Sequence, residues 1–312
     1  VGAAARSRVL RRPAVKLGVI PRCEKAVSTD PRWVGDFVRM LESEGVESVW
    51  MPEHVIMAED YEPLYGYSED GRAPVTPDTQ MPDPLHWLSF AAAWTRTLRL
   101  GTGVLIGPQH SAAMLAKRLA TLDALSGGRL EAGIGIGWQK EEYHAVGVPY
   151  SQRGRRLDEL LDAMRALWRD DPATFRGDFV SFERVFCDTK PAQSGGVPLL
   201  IGGSSEAAAR RAGLRGDGFF PYVISPDELA ARMEIVRTAA RDAGRTLPEN
   251  FSVTVWPWSY DNGGTFDLGL IEAYRDVGVG RLIVAGFEAG GRDLETIRRF
   301  IRDYRERVIA RL

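Results

Sequence analysis

Apolar positions along this chain fall into two kinds of segment that alternate. Short, nearly continuous apolar runs at residues 15–20, 46–51, 98–106, 129–136, 197–201, 218–222, 251–258 and 281–285 read as buried strands. Between them lie segments with helical spacing, at 33–41, 84–95, 112–125, 152–168, 205–214, 226–243 and 268–277. The segment 152–168 places Leu157, Leu160, Leu161, Met164 and Trp168 on one face, and the last helix does the same with Leu294, Ile297, Ile301, Tyr304 and Val308. Gly45 ends the first helix. Residues 174–186 alternate about an Arg176-Gly177-Asp178 turn and read as an inserted β-hairpin. Residues 52–82 are rich in Pro, Gly and Asp and show no period; a loop of that length is functional or a lid.

Strands and helices in strict alternation imply a parallel sheet. About eight such units favour a closed (β/α)₈ TIM barrel over an open doubly wound sheet. No linker divides residues 15–312, so the expectation is one α/β barrel domain. Residues 1–14 carry Arg6, Arg8, Arg11 and Arg12 without the apolar core of a secretory signal, and read as a disordered extension or an upstream start.

Composition narrows the function. Forty Lys and Arg against 42 Asp and Glu leave a net charge of −2, which argues against nucleic acid or an anionic membrane as partner. No apolar run approaches the roughly 20 residues of a membrane span. Cys23 and Cys187 offer neither a disulfide framework nor a metal-ligand spacing, and suit a reducing cytoplasm.

In such barrels, chemistry sits at the C-terminal ends of the strands. After the second strand comes Pro52-Glu53-His54, where a histidine serves as general acid or base near neutral pH, or as a structural rim residue. Gly133, Gly135 and Gly137 follow in alternation and end on Trp138; they let a planar ligand approach the backbone, or ease a tight barrel corner. Gly202-Gly203-Ser204-Ser205 opens a helix, either as a phosphate cradle or as a plain serine cap. Trp138, Tyr222, Trp256 and Trp258 would line a pocket for something apolar or ring-shaped. His86, His110 and His144 are scattered and form no metal set.

The motif Val49-Trp50-Met51-Pro52-Glu53-His54-Val55 resembles strand two of the bacterial luciferase-like monooxygenases, and Leu98-Arg99-Leu100-Gly101-Thr102-Gly103-Val104 their strand three. Residues 119–130, continuing to Gly133-Ile134-Gly135-Ile136-Gly137-Trp138, give the longest match. Glu141-Glu142-Tyr143, residues 153–159, 198–203, Arg210-Arg211-Ala212 and Gly216-Asp217-Gly218 add to it. Within that superfamily the chain looks most like the coenzyme F420-dependent oxidoreductases. The resemblance implies a (β/α)₈ barrel with insertions, often a homodimer, binding F420 or, alternatively, FMN across the barrel mouth. It implies a non-prolyl cis peptide at Gly103–Val104 beneath the cofactor ring, phosphate contacts from Gly202, Gly203, Ser204 and Ser205, and Glu53 and His54 beside the reactive ring edge. Gly135, Gly137 and Trp138 complete the expected cofactor set, with no metal. Trp138 stands where some deazaflavin dehydrogenases carry a catalytic carboxylate, which argues against sugar-phosphate dehydrogenase activity.

The implied reaction is hydride transfer between F420 and a small organic substrate. His54 moves the accompanying proton, and Glu53 orients His54 or hydrogen-bonds the ring. The alternative is a two-component monooxygenase using reduced FMN, a separate reductase and oxygen. From other classes stand a hydrolase with paired carboxylates, Glu53 with Glu141 or Glu142, and a non-catalytic flavin-binding protein.

Overall fold

The computed structural model describes residues 14–75 and 79–312. The extension expected at residues 1–14 therefore lies outside the described residues, except for Ala14.

The chain runs β1 (Lys16–Ile20), α1 (Pro31–Ser43), β2 (Ser48–Met51), α2 (Pro84–Trp94), β3 (Arg99–Ile106), α3 (Ala112–Ser126), β4 (Leu130–Gly135), α4 (Lys140–Ala145) and α5 (Arg153–Arg169). A hairpin of β5 (Ala173–Arg176) and β6 (Ser181–Val185) follows. Then come β7 (Leu199–Gly202), α6 (Glu206–Arg215), β8 (Gly218–Phe220), α7 (Pro226–Asp242), β9 (Ser252–Val255), α8 (Pro257–Tyr260), α9 (Leu268–Val277), β10 (Arg281–Ala285) and α10 (Leu294–Arg307). The strands close in the order β1-β10-β9-β8-β7-β4-β3-β2, and every paired neighbour is parallel. This is the expected (β/α)₈ barrel, with β5 and β6 pairing antiparallel apart from it.

Local chemistry explains the ends of the elements. Asp30 accepts the amides of Arg32 and Trp33 at 2.8 and 3.1 Å and starts α1, with Pro31 in the first turn. The expected strand 251–258 stops at Val255, because Pro257 removes a ladder donor and suits a helix start. Trp256 and Trp258 therefore sit on a turn and a short helix. The expected strand 218–222 likewise ends at Phe220, before Pro221.

Apolar side chains fill the layer between barrel and helices, including Phe37, Leu41, Leu119, Leu161 and Ile301. Inside the barrel Trp50 packs with Leu200, Phe220 and Ile283. A Cβ on Gly18 would come within 2.7 Å of Trp50 Nε1, and one on Gly101 would enter the Trp50 ring, so both glycines make room for that indole. Beneath it, at the N-terminal end of the strands, lies a buried charge cluster. Arg281 bonds Glu47 at 2.9 and 3.0 Å and Glu131 at 2.9 and 3.0 Å, with its guanidinium 5.0 Å from the Trp50 ring. Among the described residues no helix is long and apolar enough to cross a membrane.

Candidate active site

At the C-terminal ends of the strands a cavity of about 730 Å³ opens, bounded by residues in or just beyond the C-terminal parts of all eight barrel strands. Its lining holds Glu53, His54, Gly103, Val104, Gly135, Gly137, Trp138, Gly202 and Gly203, brought together from four separate stretches of sequence. Ser204 and Ser205 stand behind it. Ser205 caps α6, accepting the Ala208 amide at 3.2 Å. Ser204 bonds the backbone of Tyr222, and its own amide donates to the Tyr67 hydroxyl at 3.3 Å.

The two acidic and basic residues after β2 point to different partners. His54 Nδ1 lies 3.1 Å from Glu142 Oε2. Glu142 is fully buried, and its other oxygen accepts the Val55 amide at 2.6 Å. The contact occupies Nδ1 and leaves Nε2 as the ring nitrogen without that partner. Glu53 does not orient His54. Its carboxylate accepts the Ile106 amide at 2.6 Å and pairs with His110 Nε2 at 3.0 Å. His110, dismissed from spacing alone, is thus part of the site's frame. The paired-carboxylate hydrolase reading loses support, because Glu53 and Glu142 are each held by a histidine and Glu141 accepts the Glu62 amide at 2.9 Å.

The glycines at the end of strand four also make room for strand three. The Gly103–Val104 peptide is cis, and the β3–β4 register shifts between Thr102 and Leu105. Val104 projects from this bulge. A Cβ on Gly135 would lie 3.1 Å from Val104 Cγ2, one on Gly202 3.0 Å from Val104 Cγ1, and one on Gly137 2.7 Å from Ile106 Cγ2. Gly135 and Gly202 give Val104 its room and Gly137 does so for Ile106, and the glycines and Val104 meet the cavity together.

The long loop after β2 covers the mouth. Tyr65, Tyr67, Pro74 and Met81 line the cavity; residues 76–78 are not described. A short helix not anticipated from sequence, α4, and the residue before it hold the loop down. Gln139 accepts the Ala58 amide at 2.8 Å and Lys140 pairs with Glu62 at 2.7 Å, beside the contacts of Glu141 and Glu142. Trp138 meets Tyr61, Tyr65 and His54 edge-on, at 5.0, 5.2 and 5.8 Å between ring centroids. Tyr67 meets Tyr222 in the same way at 5.1 Å.

Tyr65 and Tyr222 are held in the protonated form. Burial pushes the Tyr65 phenol up, and its neighbour Tyr222 adds to the shift; burial raises Tyr222 as well. Burial and the charge of Glu24 push the Cys23 thiol in the cavity wall up to about 12, so it stays protonated and offers no thiolate nucleophile. Among the described residues no cluster of three or more His, Cys, Asp or Glu is placed to hold a metal ion.

The geometry can be set beside known proteins. The luciferase-like monooxygenase family profile matches residues 18–257. An uncharacterized protein of Mycobacterium tuberculosis is 30% identical over 290 residues, covering 91% of this chain and 97% of its own. An FMNH(2)-dependent dimethylsulfone monooxygenase of Pseudomonas putida is 34% identical over 158 residues, 50% of this chain and 43% of its own. Among solved structures, an F420-dependent secondary alcohol dehydrogenase in complex with an F420–acetone adduct has the same fold, with a TM-score of 0.72 at 19% identity over 95% of this chain and 99% of that one. The chain belongs to the luciferase-like monooxygenase family.

Proposed function

We propose that this protein is an oxidoreductase that moves a hydride between coenzyme F420 and a small organic substrate of apolar or ring-shaped character. The observation that carries the reading is His54, held at Nδ1 by Glu142 on the wall of a cavity walled largely by aromatic and apolar side chains. A hydride transfer to or from a polar double bond must be matched by a proton at a defined atom. His54 Nε2 supplies or removes it.

The residues present fit the cofactor class. Val104 gives a ring system an apolar seat, and Gly135 and Gly202, carrying no Cβ, leave Val104 its room. Gly103, Gly137 and Trp138 complete the wall around it. Gly203, at φ +99°, leads into Ser204, Ser205 and the N-terminus of α6, where amide groups and the helix dipole favour a phosphate. Bound there, the deazaflavin supplies a carbon centre that donates or accepts hydride. The protein orients, excludes water through the loop at 52–82, and holds the proton. Glu53 contributes by fixing Ile106, just beyond the bulge, through its bond to the backbone.

A second reading follows from the Pseudomonas relative, which is named for reduced FMN. In it the same barrel is the oxygenase of a two-component system, fed reduced FMN by a separate reductase. A homodimer accompanies either reading through the family resemblance. The test is a titration of purified protein with F420 and with FMN, followed by ligand fluorescence. Tight F420 with weak FMN binding supports hydride transfer. The reverse, with substrate-dependent oxygen uptake, supports the monooxygenase. Binding of neither by folded protein overturns both.

A further inference from the structure

The strand order places two halves of the cavity opposite each other. Between β1 and β7 lie β10, β9 and β8 on one side and β2, β3 and β4 on the other. The phosphate-favouring end at Gly203 and α6 therefore faces the end of β1 across the mouth, and the Val104 bulge on β3 faces the end of β9. A cofactor reaching from α6 to Val104 leaves the arc β9–β10–β1 uncovered. This inference rests on the functional reading above for where the cofactor lies.

That arc has a chemistry of its own. Trp256 and Trp258 stack with centroids 5.4 Å apart and planes at 22°, and Phe287 meets Trp258 edge-on at 4.8 Å. Glu288 pins the Trp256 indole, accepting from Nε1 at 2.8 Å. The three rings line the cavity, yet Phe287 remains 39% exposed. Aromatic faces gathered at a cavity mouth and left open to solvent mark a place for a flat apolar ligand. Beside them sits a charged triad. Arg22 is spent on the carbonyls of Gly286 and Gly291, at 3.3 and 2.9 Å, and on Glu24. Arg292 pairs with the same Glu24 at 2.8 Å, and its side chain is 72% exposed. Arg22 and Arg292 flank Glu24 at this end of the cavity, and Arg292, much the more exposed of the two, is the guanidinium that a ligand reaches from solvent.

We propose that the arc β9–β10–β1 is the substrate subsite, and that it takes a planar aromatic compound bearing a carboxylate. The ring lies against Trp258 and Phe287, and the carboxylate meets Arg292 through the fork geometry that suits it. Because β2 adjoins β1 in the barrel, His54, just beyond β2, borders this subsite.

Isothermal titration of the full chain without cofactor, using 2-naphthoate and its methyl ester, tests this. The acid is expected to bind at least threefold more tightly than the ester. Trp258→Ala weakens both at least tenfold; Phe287→Ala serves if that variant fails to fold. Arg292→Gln, at an exposed position, abolishes the preference and leaves ester affinity within twofold. An ester that binds as tightly as the acid, no binding of either, or affinity unchanged by loss of the aromatic side chain overturns the proposal. F420 and FMN titrations in parallel separate the two claims. Naphthoate binding as expected without cofactor binding overturns the functional reading and supports the subsite; cofactor binding without naphthoate binding overturns the subsite alone.

Discussion

His54 and Glu142, 88 residues apart in sequence, meet at 3.1 Å with the carboxylate fully buried. A buried carboxylate on one imidazole nitrogen fixes the tautomer and aims the other nitrogen. His54→Ala is expected to lower turnover by roughly 10²- to 10⁴-fold, the usual range for a lost general acid or base. Cofactor affinity should stay within twofold. Glu142→Gln keeps a hydrogen-bonding side chain and should cost less. Steady-state kinetics beside a cofactor titration check both, and unchanged turnover in His54→Ala removes the residue from the mechanism.

Tyr67 stands where a phosphate is expected to sit, since its hydroxyl accepts from the Ser204 amide. Tyr67→Phe frees that amide. The ratio of FMN to riboflavin affinity should rise severalfold in the variant, because only the phosphorylated ligand uses the donor. A ratio equal to wild type would place the phosphate elsewhere.

Gly135 and Gly202 clear the space that Val104 occupies. An added methyl at either position must move Val104 by a few tenths of an ångström, and overpacking of this kind costs about 1–3 kcal/mol. Gly135→Ala and Gly202→Ala are expected to lower the melting temperature modestly and to weaken cofactor binding more than tenfold. Calorimetry and fluorescence titration separate the two effects. Full cofactor affinity in a folded variant would remove Val104 as the ring's seat.

Arg281 is the hub of the charge cluster under the barrel, and it is 2% exposed. Removing it leaves Glu131 to Arg99 and Glu47 to the more exposed Lys16, so Arg281→Met should destabilise by about 3 kcal/mol. Burial by itself raises the Glu47 carboxyl, but the hydrogen bonds and charge of Arg281 prevail and hold it at about 2, below its ordinary 4.5. A carboxyl lowered in the folded state stabilises above its unfolded value, and that stability is lost as pH falls from 4.5 toward 2. Denaturant titrations across this window should show stability falling with pH in the wild type, and a shallower slope in Arg281→Met. Equal slopes would show that Glu47 does not carry the acid sensitivity.

Much of the architecture was legible residue by residue. Barrel strands follow from short continuous apolar runs and helices from a period of 3.6, both local properties of a short window. Caps such as Asp30 and stops such as Gly45 act within a turn. Boundaries slipped where proline intervened, at Pro221 and Pro257, and α4 escaped notice because six residues carry too little period to register.

The sequence by itself determined the closed (β/α)₈ barrel, the end of it that carries chemistry, and the strings that place the chain among luciferase-like proteins. It also marked His54, Val104 and Gly203 for the cavity wall. Only the tertiary structure decided the pairings: Glu142 with His54, Glu53 with His110, Tyr67 over Ser204, and Val104 resting in a gap made by Gly135 and Gly202. The physical reason is distance along the chain. Strand periodicity is set by neighbours, whereas a hydrogen bond across 57 or 88 residues depends on how closure of the barrel brings separate strand ends together.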